Sequence, residues 1–286
     1  MNEQEQTAQP RESGKGRKNP DLHILPWAVL LVAATLPVIL LSGKPHKKNA
    51  PQTREGVSYL AELEERDPAE VEKTVRLREV ERLRLEMEAD RENAMNERMD
   101  SLENGSIWDQ FRDSAILGDS RALGFSVFDF LDSSRVFADG GHTIRDIPES
   151  IEALKTLNPD VVYLCYGLND AGIGYWDSGE EYAAELDERL TQLQQALPDA
   201  MIVVNSILPA TEAAMNYSPS WRKIPAVSSA AKALCESRGV PFVDNDPLGE
   251  EYMATMWNED GVHLHKEFYP IWAKNMLITA ITAEFS

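Results

Sequence analysis

Four short polar clusters punctuate the C-terminal part of this 286-residue chain: Gly118-Asp119-Ser120, Gly140-Gly141-His142-Thr143, Gly167-Leu168-Asn169-Asp170 and Asp260-Gly261-Val262-His263. Together they hold the parts needed for nucleophilic attack on an acyl group. A serine hydroxyl is a weak nucleophile until a base takes its proton. A histidine base in turn needs a carboxylate to fix its tautomer and steady its charged form. Ser120, His263 and Asp260 would fill those roles. The oxyanion that develops needs donors already in place, and the N–H groups of Ser120 and Gly141 with the Asn169 side-chain amide could supply them. Gly140 is the alternative to Gly141. His265 is a rival base, five residues beyond Asp260 where His263 is three. Asp119 and Asp170 read as turn residues that bond nearby backbone. Asp244 and Asp246 also follow an apolar run, but Asp260 is the better-placed acid.

The elements that must position these clusters alternate along residues 107–286. β-like runs at 114–120, 135–141, 160–170, 200–209 and 240–246 are each followed by a helix-like segment. Ser178 is a candidate N-cap for the amphipathic stretch "SGEEYAAELDERLTQLQQAL", and "HKEFYPIWAKNMLITAITAEF" closes the chain as a helix. Alternation with continuously apolar strands predicts a five-stranded parallel sheet covered by helices on both faces. In such sheets functional residues collect at the carboxyl ends of the strands, where these clusters fall.

The same four clusters resemble the SGNH (GDSL-type) hydrolase family, whose blocks are named for Ser, Gly, Asn and His. Gly118-Asp119-Ser120 matches the first block, with Arg121 where many members carry an apolar residue. "GHT" at 141–143 matches the second, Gly-Leu-Asn-Asp at 167–170 the third, and Asp-Gly-Val-His at 260–263 the last. The resemblance implies a flavodoxin-like three-layer α/β/α fold and ester hydrolysis or acyl transfer by Ser120, His263 and Asp260, without metal or cofactor. It leaves residues 1–106 unaccounted for.

Charge divides the chain further. Residues 1–50 carry seven Lys/Arg and four Asp/Glu, residues 51–106 nine and sixteen, and residues 107–286 twelve and twenty-eight, for a net −20. So acidic a chain lacks the basic face that nucleic acid requires. Ile24 to Leu41 is an eighteen-residue run without charge, of a length to span a bilayer core. A polar tail at 1–21, a transmembrane anchor at 22–43, a juxtamembrane helical stalk at 44–106 and a catalytic domain at 107–286 are the expected divisions. Basic residues flank the apolar run equally on both sides, so the positive-inside rule does not orient it; a large domain after a first span is commonly translocated, which favours an extracellular catalytic domain. In the stalk, Asp67-Pro68 opens a helix and Asn104-Gly105 closes it. Glu and Arg alternate along it as on a solvated face. A stripe of Val80, Leu83, Met87 and Ala94, interrupted by Asp90, leaves self-association as a short coiled coil open to it. Cys165 and Cys235 make neither a disulfide framework nor a zinc site and read as buried free thiols.

The expected substrate is an acyl ester. Arg121 and His142 lie beside the clusters and are candidate substrate contacts. Tyr175 and Trp176, with Tyr217 and Trp221, are aromatic residues of the kind that stack on sugar rings. An O-acetyl group on a cell-envelope or environmental carbohydrate fits an external, tethered enzyme. Acyl transfer onto an envelope polymer with a partner donor, and a lysophospholipase-like activity, are the alternatives.

Overall fold

The computed structural model describes residues 50–65 and 67–286. The tail expected at 1–21 and the anchor expected at 22–43 lie outside those residues. Among the described residues no helix is long and apolar enough to cross a membrane. The chain divides into two units, one ending at Leu77 and one running from Arg78 to Ser286.

Two helices lead in, α1 (Ala50–Glu64) and α2 (Pro68–Asn104). α2 begins where its sequence signals it, with the Asp67 carboxylate accepting the Ala69 N–H at 2.9 Å, and it stops at Gly105. Arg82 pairs with Glu79 and Glu86 and Arg84 with Glu81, all exposed, so these pairs solvate the helix more than they stabilise it. At 100° per residue Val71, Val75 and Leu85 point to one side and Val80, Leu83 and Met87 to the other. All six are exposed. α2 therefore lacks the single apolar seam of a coiled coil. Further along, Leu102 is buried, with Met95 and Met99 packed beside it, in the core shared with Phe111 and Trp272.

The sheet has five parallel strands, β1 (Ser114–Gly118), β2 (Val136–Ala138), β3 (Val161–Cys165), β4 (Met201–Asn205) and β5 (Phe242–Val243), in the order β2-β1-β3-β4-β5. Helices α3 (Ser120–Val127), α4 (Ile147–Leu157), α5 (Leu168–Ile173), α6 (Gly179–Ala196), α7 (Glu212–Tyr217), α8 (Ile224–Arg238), α9 (Asp246–Met256) and α10 (Tyr269–Glu284) fill the connections. Successive strand side chains point to opposite faces, and this alternation builds two cores. Leu117, Val162, Leu164 and Val204 pack with Leu154, Leu190 and Val227 of α4, α6 and α8. Ile116, Tyr163 and Val203 pack with Phe125 of α3 and Trp272 and Met276 of α10. With both faces covered, the strands are expected to be largely apolar, and β1 is buried at all five positions. The strand order reverses between β1 and β3. The crevice beyond their carboxyl ends is the ligand-binding place of such sheets, and the polar clusters meet there.

Candidate active site

β1 delivers the first cluster. Asp119 caps α3, its carboxylate accepting the Arg121 N–H at 3.0 Å, and its other oxygen accepts the Leu168 N–H at 3.2 Å. One buried carboxylate thus ties together the loops after the two central strands. Burial pushes its carboxyl above the ordinary range, against the pull of the Arg121 cation and the two N–H bonds. Ser120 is the first residue of α3, so its N–H has no acceptor within the helix.

The last cluster sits between α9 and α10. Trp257 and Leu264 form an antiparallel bridge, the Asn258 N–H bonds the His263 carbonyl at 2.8 Å, and the Gly261 N–H bonds the Asn258 carbonyl at 2.8 Å. Gly261 lies at φ +72°, where a Cβ would meet the Thr211 hydroxyl at 1.9 Å, so only glycine suits this tight turn. The turn presents His263 to both partners. Ser120 Oγ lies 2.9 Å from His263 Nε2, and His263 Nδ1 lies 2.7 Å from Asp260 Oδ2. The other Asp260 oxygen accepts the N–H groups of Val262 and His263, both at 2.9 Å. Partial burial works to raise the Asp260 pKa. The two N–H bonds and His263 outweigh it and hold the carboxyl below its ordinary value. The carboxylate at Nδ1 selects the tautomer whose Nε2 can accept the serine proton. The His263 and Asp260 side chains remain 44% and 47% exposed, so the triad opens directly to solvent. His265, the rival base, is exposed and makes no side-chain bond; its N–H donates to the Met256 carbonyl and its carbonyl accepts the Phe268 N–H.

The middle clusters follow β2 and β3. Gly141 takes φ +86°, and its N–H has no protein acceptor, whereas the Gly140 N–H is occupied by the Asp139 carboxylate at 2.7 Å. That separates the two glycines in favour of Gly141 as a donor. Asn169 Nδ2 donates to the His142 carbonyl at 3.0 Å. This fixes the amide plane and leaves its second N–H for a ligand. Asp170 is 2% exposed; one oxygen accepts the Ile144 N–H at 3.0 Å and the other has no partner. Burial pushes its pKa up to about 7, against the Ile144 bond.

Two expected substrate contacts are corrected. Arg121 points inward, 3% exposed, with its guanidinium on the carbonyls of Val262, Leu208 and Pro209. Trp176 is 7% exposed, its indole N–H on Glu185 at 3.0 Å and its ring edge-on to Tyr182; a large apolar ring next to an apolar core is worth more buried than displayed. Trp221 likewise spends its N–H on the Leu168 carbonyl at 3.1 Å. Tyr175 and Tyr217 are exposed at 48% and 91%, and the Arg145 guanidinium lies 4.3 Å over the Tyr175 ring. His142 is half-buried and contributes its carbonyl. The sequence pattern also carried no expectation for Tyr269, whose hydroxyl donates to the Arg121 carbonyl at 2.8 Å.

Residues 112–270 match the family model described as GDSL-like lipase/acylhydrolase. Among curated proteins no sequence matches the chain. Solved structures similar to it include a lipase/acylhydrolase from Enterococcus faecalis (16% identity, 59% of this chain and 95% of that one, TM-score 0.49). A GDSL-like lipase from Bacteroides thetaiotaomicron is another (20% identity, 62% and 90%, TM-score 0.49).

Proposed function

We propose, from the premise that this chain belongs to the GDSL-like lipase/acylhydrolase family and is an ester hydrolase, that Ser120, His263 and Asp260 carry out the hydrolysis. The observation that carries this reading is the 2.9 Å approach of Ser120 Oγ to His263 Nε2, with Asp260 2.7 Å behind the ring. His263 Nε2 takes the hydroxyl proton as Oγ bonds to the ester carbonyl carbon. The oxyanion is met by the Ser120 and Gly141 N–H groups and the Asn169 amide. The tetrahedral centre collapses, the C–O bond to the alcohol breaks, and His263 returns the proton to that oxygen. Water then gives a proton to His263 and attacks the acyl-serine, releasing the acid and restoring the hydroxyl.

The substrate we favour is a short acyl group, an O-acetyl ester, on a carbohydrate of the cell envelope or environment. Support comes from the openness of the triad, with His263 and Asp260 nearly half exposed: a bulky polymer can present its ester from outside. The exposed rings of Tyr175 and Tyr217 suit sugar faces. The uncharged run at 24–41 supports attachment to a membrane with the enzyme on its outer side; retention of the full chain in membranes through an alkaline wash tests it.

The assay is p-nitrophenyl ester hydrolysis by the full chain across acyl lengths, with and without sugar acceptors. Preference for acetyl and turnover without acceptor are expected, and Ser120→Ala abolishes it. Strict acceptor dependence would mean a transferase, and preference for long acyl chains a lysophospholipase-like enzyme. Full activity in Ser120→Ala would end the proposal.

A further inference from the structure

The residue after the serine is a fully buried cation, and a cation is costly to bury. An apolar side chain could fill that slot, so what the guanidinium does there is informative. Its Nε donates to the Val262 carbonyl at 2.7 Å, and its two terminal nitrogens donate to the carbonyls of Leu208 and Pro209 in the loop after β4. The peptide joining Val262 to His263 is therefore held on both edges. Arg121 holds its carbonyl, and Asp260 holds its N–H at 2.9 Å. That peptide carries the His263 Cα. The other end of the linkage is equally fixed: the Arg121 N–H is on Asp119, and the Arg121 carbonyl receives the Tyr269 hydroxyl. Ser120 and His263 are 143 residues apart in sequence, and this side chain is a direct bridge between their loops.

We propose that Arg121 is a positioning residue, whose three-carbonyl grip sets the distance and angle between the Ser120 hydroxyl and the His263 imidazole. The inference rests on the reading of Ser120, His263 and Asp260 given above. Arg121 touches no reacting atom and acts through the 262–263 peptide. Replacing it frees that peptide to rotate, which detunes proton transfer without altering how the ester binds.

The test is steady-state kinetics of the full chain on p-nitrophenyl acetate for Arg121→Leu, Arg121→Lys and Ser120→Ala, with folding followed by circular dichroism and urea. Arg121→Leu is expected to lower kcat about 10- to 100-fold, since displacement by about an ångström costs that much, with KM changed less than about twofold. Arg121→Lys recovers part of kcat, because one ammonium cannot span all three carbonyls. If folded Arg121→Leu loses only stability and keeps the wild-type kcat while Ser120→Ala is inert, the positioning role is wrong and the reading of the site stands. If Ser120→Ala turns over normally, both fall. Should Arg121→Leu not fold, Arg121→Lys decides: a reduced kcat at unchanged KM supports the role, and wild-type kcat overturns it.

Discussion

Asp119 and Asp260 each accept two backbone N–H bonds beside a residue of the triad, and there the likeness ends. Asp119 is 2% exposed, in a turn whose Asp119 and Arg121 groups bond interior partners from four other segments. The Asp260 side chain is 47% exposed, in a loop that displays His263 to solvent. The difference teaches a division of labour. The serine turn is dry and fixed, and its carboxylate is architecture. The histidine loop is wet, and its carboxylate serves the imidazole.

Exchanging each aspartate for alanine is the sharpest way to break that contrast. Asp119→Ala should cost about 3–5 kcal/mol of stability, because two buried N–H groups lose their acceptor and the Arg121 cation loses its nearest buried anion; urea unfolding that shows less than about 1 kcal/mol would contradict the contrast. Asp260→Ala should leave stability within about 1 kcal/mol, since water can reach its donors. Its kcat/KM on p-nitrophenyl acetate should nevertheless fall at least about 10²-fold, and wild-type kinetics would refute its role.

Asp170 extends the dry side to pH. A raised carboxyl means that the folded chain keeps a proton which the unfolded chain releases above its ordinary value of 3.8. The stability this contributes is complete below that value and is lost as pH rises through about 7. Asp170→Asn keeps an oxygen for the Ile144 N–H and carries no charge. Its unfolding free energy should therefore fall less than the wild type's between pH 5 and 8, by a kcal/mol or more; parallel curves would count against the burial argument. The smallest effect belongs to the exposed rim. Tyr175→Ala should change stability by less than about 0.5 kcal/mol while raising KM for an acetylated oligosaccharide a few-fold, and an unchanged KM would remove Tyr175 from the substrate face.

Much of this was legible in the sequence. Gly118-Asp119-Ser120, Gly167-Leu168-Asn169-Asp170 and Asp260-Gly261-Val262-His263 mark tight turns, and the apolar runs before the first two can only be buried strands. Capping signals located α2 and α6 closely, with Ser178 Oγ accepting the Glu181 N–H as expected. What was hidden depends on side-chain direction. Nothing local distinguishes an arginine that reaches the substrate from one that turns inward, because the carbonyls that capture Arg121 lie 87 or more residues away. Trp176 reads as a surface ring until Glu185, two turns into α6, is seen to take its indole N–H. The short helix α5 begins inside the run at 160–170 that reads as β-like, and α7 and α9 give no periodic signal strong enough to read. Such short helices are held by tertiary contacts more than by propensity.

The central claim is that the Ser120 hydroxyl is the activated nucleophile and that His263 activates it. Treating the full chain with a fluorophosphonate and mapping the adduct by mass spectrometry tests it most directly. The account predicts a single adduct on Ser120 that is lost in His263→Ala while that variant stays folded. An unmodified Ser120, or equal labelling with and without His263, would contradict it.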